Sequence, residues 1–272
     1  MERKKRCEHS IAEFSRTYFP EYVPAASAKF HGEWEKIRLI ENEPVLLMAF
    51  RGCGKSTFFT LLDPIHEIAY GKRNFMIFSS YTEEKSAAFT GRILIELMYN
   101  QRLKNDFGEF VQDHKQSLRQ FEVDVPSSGG KTILVRSISI GQDPRGFVHG
   151  PNRPDYVRMD DIQSRQRARS RKFVRSTVDW VMQDLIPALG VDYSAVLVAT
   201  PLNTQCVACT LEKGTDEVHP VKTYKYPAEE RGKPTWKAWF PTSRLAKLKK
   251  TIGSTAYAQE YLLIPVALDE RI

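Results

Sequence analysis

The segment AFRGCGKST, from Ala49 to Thr57, constrains the fold of this chain more than any other part of the sequence. It lies between a short apolar run, Pro44–Phe50, and a helix-like segment, Phe58–Tyr70. A continuous apolar run of this length that ends in a glycine-containing turn is typical of a strand buried in a parallel sheet. The order of strand, glycine-rich loop and helix is the one that a phosphate-binding loop requires.

The residue types in this loop are those that hold phosphate. Glycines leave space for backbone N–H groups to close on phosphate oxygens, and the Lys55 ammonium can reach the β- and γ-phosphates. Ser56 offers a hydroxyl ligand for Mg²⁺, and the helix that follows adds the positive end of its dipole. We therefore predict a site for ATP and Mg²⁺, although Ala49 replaces the first glycine of the usual pattern. The expected nucleotide-binding residues are Arg51, Gly52, Cys53, Gly54, Lys55, Ser56 and Thr57.

A second chemical signal is an acidic strand end, Tyr156–Asp161, with the sequence YVRMDD. In a nucleotide hydrolase the first acid, Asp160, would hold the Mg²⁺ shell, and the second, Asp161, would orient and deprotonate the attacking water. Two adjacent carboxylates at the start of a loop can also form a solvated turn, but the phosphate-binding loop favours the catalytic interpretation. Arg158 lies inside this apolar strand, where a charged side chain is costly unless it is paired.

Thr200 follows a further apolar run, Ala195–Ala199, and precedes Pro201. If this strand ends beside the other two, the Thr200 hydroxyl can hydrogen-bond the attacking water or the carboxylate of Asp160. Alternatively, the proline simply ends the strand and the hydroxyl has no chemical role. The local sequence does not distinguish the two.

The rest of the chain alternates between apolar runs and helix-like segments, which predicts an α/β fold with a mostly parallel sheet flanked by helices. Residues 121–125 and 132–140 flank a turn cluster and predict a β-hairpin. Residues 165–189 predict one long amphipathic helix. Its first part, 165–175, is strongly basic and is either a solvated helix face or a surface that contacts DNA phosphates or a neighbouring subunit.

A change in composition suggests two parts of unequal size. After Asn203 the sequence becomes rich in proline and lysine. We therefore expect an ATPase core over residues 1–205, with an N-terminal helical segment at 1–43. A small C-terminal lid subdomain is expected over residues 206–272.

The charge balance excludes some partners and favours others. The chain carries 40 Lys and Arg residues against 33 Asp and Glu residues, a formal net charge of +7 over 272 residues. A basic balance favours polyanions such as nucleic acid. The longest apolar run, Val45–Phe50, is far shorter than the ~20 residues that span a bilayer, so no membrane partner is expected. The charged N-terminus lacks the apolar stretch of a signal peptide, which favours a cytosolic protein.

Four segments together resemble the ATPase domain of the large terminase subunit, the DNA-packaging motor of tailed bacteriophages. The phosphate-binding loop carries Arg51 in its variable part, as the deviant Walker A motif of this family often does. Residues 140–161, IGQDPRGFVHGPNRPDYVRMDD, are similar to the family's stretch leading into Walker B. LVATPLN at 197–203 is similar to its coupling motif, and YAQEYLLIP at 257–265 resembles the segment that closes the ATPase domain.

The resemblance implies a P-loop NTPase of the additional-strand (ASCE) type with a small C-terminal lid. The implied activity is ATP hydrolysis that drives double-stranded viral DNA into a procapsid in the host cytoplasm. The implied assembly is a homo-oligomeric ring, expected as a pentamer, with a portal protein and a small terminase subunit as partners. Nuclease activity is not expected from this chain, because it lacks the acidic metal cluster of the family's nuclease domain.

Residue roles also follow from the resemblance. Arg145 matches the Arg-Gly position from which an arginine finger reaches a neighbouring subunit's ATP, whereas Arg51 would act on its own subunit's nucleotide. Arg145 can equally be a turn residue paired with a nearby carboxylate. The second acid, Asp161, departs from the glutamate of many relatives and has a shorter reach. Near the N-terminus, Phe30, His31 and Trp34 either frame an adenine pocket, as in the family, or belong to the core.

Other functions remain open from the sequence. A helicase-type or recombination-type DNA-dependent ATPase shares the Walker motifs. A nucleotide-gated DNA-binding adaptor with little turnover would be consistent with the aspartate at position 161. A small-molecule kinase is disfavoured, because no acceptor-site motif follows.

Overall fold

The computed structural model describes residues 2–111, 116–126 and 129–267. Its strands within these ranges are β1 Pro44–Ala49, β2 Phe75–Ser80, β3 Gln120–Val125, β4 Lys131–Ser139, β5 Tyr156–Asp160, β6 Ser194–Ala199, β7 Lys222–Tyr226, β8 Glu229–Glu230 and β9 Lys233–Pro234. Seven of them form one sheet in the order β3-β4-β2-β5-β6-β1-β7, and β8 pairs with β9 in a small second sheet.

The α-helices in the described part of the chain are α1 Glu2–His9, α2 Ile11–Tyr18, α3 Lys29–Ile37, α4 Lys55–Thr57, α5 Asp63–Ala69, α6 Glu83–Tyr99, α7 Gln101–Phe107, α8 Arg171–Asp179, α9 Val207–Lys213, α10 Thr242–Ile252 and α11 Ser254–Tyr261. A π-helical segment, Phe58–Leu62, joins α4 to α5 in one continuous helix, and a second, Trp180–Leu185, extends α8. No helix among the described residues is long and apolar enough to cross a membrane.

The main sheet is parallel except at one edge, as the alternation of strands and helices predicts. β3 pairs antiparallel with β4, with Phe121 opposite Val135, which confirms the predicted hairpin. The central strands β1, β2, β5 and β6 are buried along almost their whole length, because elements cover both faces of the sheet. β6 lies between β1 and β5, as the additional strand of the predicted ASCE arrangement does.

Apolar side chains fill three regions around the sheet. Helices α8 and α9 cover one face, where Val178 belongs to the same core cluster as Met159 and Leu197 of the central strands. Helices α2, α5, α6 and α7 contribute to the cluster on the other face. An aromatic cluster that includes Trp34 and Trp236 joins the N-terminal segment to the C-terminal segment beside β1. The N-terminal and C-terminal segments are therefore packed together around the strand that precedes the phosphate-binding loop.

The prediction of one long helix over residues 165–189 is wrong at its N-terminal end. The α-helix begins at Arg171, because the Ser170 hydroxyl accepts a hydrogen bond from the Phe173 backbone N–H at 3.3 Å and caps it. Only a short 3₁₀ turn, Arg167–Arg169, precedes it. Arg165 therefore lies in the loop between β5 and α8, and not on the helix.

The division expected at residue 205 does not coincide with the edge of the sheet. β7 comes from the segment beyond that position, and it pairs in parallel with β1. α9 likewise packs into the core cluster on one face of the main sheet. The small sheet β8-β9 and helices α10 and α11 follow β7 in the chain.

Arg158 in β5 is paired, as its burial requires. Its guanidinium donates two hydrogen bonds to one carboxylate oxygen of Asp63, from Nε at 3.0 Å and from Nη2 at 2.7 Å. The Tyr156 hydroxyl donates to the same oxygen at 2.8 Å, and Arg38 donates to the other at 3.3 Å. Since the Asp63 side chain is fully buried, it needs these donors. The pairing joins β5 to the helix that begins at the phosphate-binding loop.

We expect Asp63→Ala to lower the free energy of unfolding by about 3–5 kcal/mol, because it leaves the buried Arg158 without its carboxylate. Urea unfolding monitored by tryptophan fluorescence measures this. The control is Glu13→Ala, which breaks a half-exposed pair with Arg16 and should cost less than about 1 kcal/mol. Equal small losses for both variants would contradict a structural role for the buried pair.

Candidate functional site

The ends of three neighbouring parallel strands form one edge of the sheet. β1, β6 and β5 are adjacent, so the loops that follow them meet at their carboxyl ends, where ligands of α/β sheets commonly bind. A cleft of about 400 Å³ opens there. The predicted site residues that line it are Arg51, Lys55, Asp161 and Thr200. Arg165 and Glu260 also line the cleft, and neither was predicted as a site residue.

The phosphate-binding loop has the backbone that its glycines allow. Gly52 and Gly54 have φ angles of 82° and 89°, in the region that favours glycine. A Cβ atom at Gly52 would also lie 3.1 Å from the Phe240 ring. The side chain of Cys53 is fully buried, and this burial raises the pKa of its thiol. The loop is therefore held by packing around Cys53, and its glycines allow the backbone to turn.

The residues predicted to hold Mg²⁺ lie together. Asp160 is almost completely buried at the end of β5, and burial raises the pKa of its carboxyl to about 6. A hydrogen bond with Ser56 and the positive charge of Lys55 oppose this rise. The Asp160 carboxylate also accepts a hydrogen bond from the Asp161 backbone N–H at 2.9 Å. A buried carboxylate beside a hydroxyl, only partly compensated by its neighbours, fits a divalent cation.

Lys55 is only partly exposed, whereas its role as a phosphate ligand suggests a largely exposed side chain. Its ammonium lies close enough to lower the pKa of both Asp160 and Cys53. The lysine is therefore set into the edge of the sheet and does not extend freely into solvent.

Asp161 occupies a strained position. Its φ angle is 49°, which is uncommon for a residue with a Cβ atom. Its carbonyl holds this conformation by accepting hydrogen bonds from the Tyr81 backbone N–H at 3.2 Å and the Ser80 hydroxyl at 3.1 Å. The exposed carboxylate forms an ion pair with Lys85 at 3.2 Å. Strain of this kind is often found at functional sites.

Thr200 forms a hydrogen bond with β1, the strand before the phosphate-binding loop. Its hydroxyl donates a hydrogen bond to the carbonyl of Ala49 at 3.1 Å. The bond ties the end of β6 to the end of β1 and leaves Thr200 on the wall of the cleft. A contact with the attacking water remains a prediction.

Arg51 is held by the C-terminal part of the chain. Its backbone N–H donates to the carbonyl of Glu260 at 2.9 Å, and its guanidinium lies 3.8 Å from the Glu260 carboxylate. The same carboxylate accepts a hydrogen bond from Arg165. The basic run 165–175 indicated only a solvated or DNA-contacting surface, so the sequence did not identify Arg165 as a cleft residue. Its partner is 95 residues away in the chain.

Arg145 does not line this cleft. Its guanidinium forms an ion pair with Asp184 at 2.5 Å, and its backbone N–H donates to Asp143 at 2.9 Å. The side chain is exposed. Within one chain, Arg145 is therefore paired with a nearby carboxylate, as expected of a turn residue. Its side chain is exposed, so it is also accessible to a neighbouring chain.

A second cavity, of about 520 Å³, adjoins the phosphate-binding loop. Gly52, Cys53, Gly54 and Thr57 line it, together with His31, Trp236 and Trp239. Of the three N-terminal residues expected either in an adenine pocket or in the core, two lie in the core and one lines this cavity. Phe30 and Trp34 are core side chains, whereas His31 lines the cavity.

His31 connects the N-terminal segment to the loop. Its Nδ1 accepts a hydrogen bond from the Ala28 backbone N–H at 2.9 Å, so Nε2 carries the proton. Nε2 then donates to the carbonyl of Cys53 at 3.0 Å. Burial lowers the pKa of the imidazole, which favours this neutral form. The histidine fixes one carbonyl of the phosphate-binding loop.

Known structures with the same architecture are phage packaging proteins. The ATPase domain of the large terminase from Thermus phage P74-26 superposes with a TM-score of 0.54 at 17% identity, and the match covers 82% of this chain and 88% of that domain. The chain has the fold of a phage large terminase ATPase domain. The resemblance inferred from the motifs is thus confirmed at the level of the fold.

The other comparisons give a weaker structural match and no sequence match. The large terminase of a second thermophilic bacteriophage gives a TM-score of 0.46 at 10% identity, and the match covers 83% of this chain and 49% of that protein. No protein-family model matches the sequence, and no curated protein matches it.

We expect Asp160→Asn to be more stable than the wild type at pH 8, by about 1–3 kcal/mol. The carboxyl has a pKa of about 6 in the folded chain against an ordinary 3.8. The wild type therefore loses stability as pH rises from about 4 to about 6, and the asparagine variant does not. The gain should be complete above about pH 6 and absent below about pH 4, as measured by urea unfolding.

The control for this prediction is Asp161→Asn, which neutralises an exposed carboxylate next to the buried one. It should show no gain of this size at pH 8. An Asp160→Asn variant that is less stable than the wild type at pH 8 would contradict the electrostatic account of the site.

Proposed function

We propose that this chain hydrolyses ATP and that hydrolysis drives double-stranded viral DNA into a procapsid. The observation that carries the proposal is the grouping of Lys55, Ser56 and Asp160 at the edge of a sheet with the terminase ATPase fold. The buried acid, the lysine and the hydroxyl are the three parts that a P-loop hydrolase needs to hold nucleotide and metal.

The loop would bind the phosphates of ATP. Backbone N–H groups around Gly52 and Gly54 and the Lys55 ammonium supply positive charge where negative charge develops in the transition state. Ser56 and Asp160 would hold Mg²⁺, which neutralises charge on the β- and γ-phosphates. Arg51 is proposed to act on the nucleotide of its own subunit.

Asp161 is the proposed base. It follows the buried acid directly and lines the cleft. Its carboxylate has to leave Lys85, 3.2 Å away, before it can accept a proton from water. Thr200 is proposed to help place that water, because its hydroxyl is held at the end of the Walker A strand and the residue lines the cleft.

The adenine would occupy the cavity next to His31. This cavity adjoins the phosphate-binding loop, and its walls include Trp236 and Trp239. Aromatic walls suit a planar base. The base would then contact both the N-terminal segment and the C-terminal segment of the chain.

Translocation requires partners beyond the chain. The net charge of +7 supports an association with duplex DNA. We propose a ring of identical subunits, a pentamer, that acts in the host cytoplasm with a portal protein and a small terminase subunit. In such a ring the exposed Arg145 of one subunit would reach the ATP of the next.

One observation favours a second function, a nucleotide-gated DNA-binding adaptor with little turnover. The ion pair with Lys85 holds the shorter Asp161 side chain. An aspartate that stays paired there would leave the attacking water without a base. Measurement of ATP turnover with and without duplex DNA separates the two functions, because only the motor hydrolyses ATP in an assembled state.

We expect Lys55→Ala to lose at least about 100-fold in kcat/KM for ATP, since it removes a charge aimed at the transferred phosphate. The Lys55 charge also opposes the pKa rise of the buried Asp160, so urea unfolding should show a modest loss of stability, and turnover is compared under conditions in which both proteins are folded. Lys5→Ala, an exposed lysine on α1, is the control and should retain full turnover. Normal ATPase activity of Lys55→Ala would overturn the assignment of the site.

We expect Arg145→Ala to bind ATP normally and to lose about 10³–10⁵ in turnover, the usual contribution of an arginine finger. A mixture of Arg145→Ala with Asp161→Asn should regain activity, because one variant supplies the finger and the other an intact site. Asp184→Asn tests the alternative, since it breaks the ion pair of Arg145 and should leave turnover intact. Mixtures that co-assemble and stay inactive would assign Arg145 to its own subunit or to the fold.

A further inference from the structure

Three consecutive residues of α11 contact the phosphate-binding loop region and the coupling motif. The Gln259 side chain donates to the carbonyl of Leu202, in the coupling motif, at 2.8 Å. Glu260 contacts Arg51 of the phosphate-binding loop through both its carbonyl and its carboxylate. The Tyr261 ring lies beside that of Phe50. This part of the C-terminal segment is therefore fixed beside the cleft, and Glu260 lines it.

The carboxylate of Glu260 serves two arginines at once. It lies 3.8 Å from the Arg51 guanidinium and accepts a hydrogen bond from Arg165. The carboxylate side chain is 11% exposed, whereas both arginine side chains are mostly exposed. The anion is thus fixed in the protein, while the two guanidinium groups that it holds remain accessible from the cleft.

The charges around the cleft do not balance. The described residues that line it include four cations, Arg51, Lys55, Lys85 and Arg165, and two carboxylates, those of Asp161 and Glu260. Lys85 is neutralised by Asp161, and Lys55 lies near the buried carboxylate of Asp160. Glu260 can neutralise only one of its two arginines. The remaining positive charge suits a ligand with several negative charges, such as a triphosphate.

We propose that Arg165 binds the terminal phosphate of ATP within its own subunit, and that Glu260 positions Arg165 and Arg51 for this contact. The inference rests on the proposed function, since it concerns the same site. Arg165 follows Asp161 by four residues and lines the same cleft as Lys55. A guanidinium offers paired donors in the geometry of phosphate oxygens, which a lysine does not.

The position of Arg165 predicts which nucleotide it recognises. The β-phosphate is common to ADP and ATP, so the backbone of the loop and the contact of Lys55 with that phosphate support both nucleotides. Arg165 belongs to the loop after the Walker B strand, not to the phosphate-binding loop, so it adds a contact only when a third phosphate extends towards it. Arg165 is therefore a specificity-determining residue, and its loss should weaken ATP more than ADP.

The experiment measures the affinities of the full chain for fluorescent ATP and ADP analogues in the presence of Mg²⁺. Arg165→Ala should weaken ATP by about 10-fold or more and ADP by less than about 2-fold. Arg169→Ala removes the same charge from an exposed position in the same basic run, outside the cleft, and should change neither affinity. Equal weakening of both nucleotides, or no weakening, would overturn the role of Arg165.

Glu260 is tested as a positioning residue by combining variants. Glu260→Gln keeps the size of the side chain and removes its charge, and it should lower the ATP-to-ADP affinity ratio. In the Arg165→Ala background the same substitution should have a much smaller effect on that ratio, because one of the two positioned groups is gone. Glu260→Asp keeps the charge and should recover part of the ratio. Additive effects of Glu260→Gln and Arg165→Ala would overturn the positioning role.

Failure of the proposed function gives a different result. If the wild type binds neither nucleotide, and Lys55→Ala is indistinguishable from it, the nucleotide site itself is wrong and this inference fails with it. If the wild type binds both and Lys55→Ala does not, while Arg165→Ala keeps the wild-type ratio, the inference alone is wrong. Arg165 is exposed, so its alanine variant is expected to fold.

Discussion

The site depends on one buried ion pair between the helix after the phosphate-binding loop and β5, the strand that ends in Asp160. Asp63 lies seven residues after Ser56 on a continuous helix, a separation of about 10 Å. Its partner Arg158 lies two residues before Asp160, on the same face of the strand. When Asp63 and Arg158 are joined, the distance between Ser56 and Asp160 is therefore fixed as well. The pair thus sets the spacing of the two residues proposed to hold Mg²⁺, about two helical turns away.

Two buried carboxylates of this region, Asp63 and Asp160, differ in how fully neighbouring groups compensate their charge. Asp63 is surrounded by donors from Arg38, Tyr156 and Arg158. Asp160 has weaker compensation, and its pKa rises to about 6 because burial outweighs its hydrogen bond and the nearby lysine. A buried carboxylate whose negative charge is only partly compensated by neighbouring protein groups is available to bind a cation. The fold thus tolerates an unfavourable charge at Asp160 because the network around Asp63 holds the same strand in place.

The sequence predicted what depends on neighbours in the chain, and missed what depends on distant segments. The strand, loop and helix around Lys55, the hairpin and the parallel sheet follow from local periodicity and glycine placement. The partner of Arg158 could not be predicted, because Asp63 is 95 residues away. The long helix was extended through Arg165 since the basic run has no breaker, but the Ser170 cap starts the helix later. In the sequence, Glu260 stands out only as part of the segment 257–265 that resembles the terminase family. Its contacts with Arg51 and Arg165 depend on packing between distant segments.

The shared carboxylate of Glu260 has a thermodynamic consequence for the C-terminal segment. Arg51 and Arg165 are held by α11, so any displacement of that helix from the sheet moves both guanidinium groups relative to Lys55. If these guanidinium groups bind phosphate as proposed, the affinity for phosphate depends on the position of α11, and by reciprocity a bound phosphate biases that position by the same free energy. The backbone bonds from Arg51 and Ala228 to the α11 segment make such a displacement collective, because they join it to the loop and to the chain after β7. Under that proposal, a change in the charge of the nucleotide acts directly on the C-terminal segment through Glu260, without a separate relay.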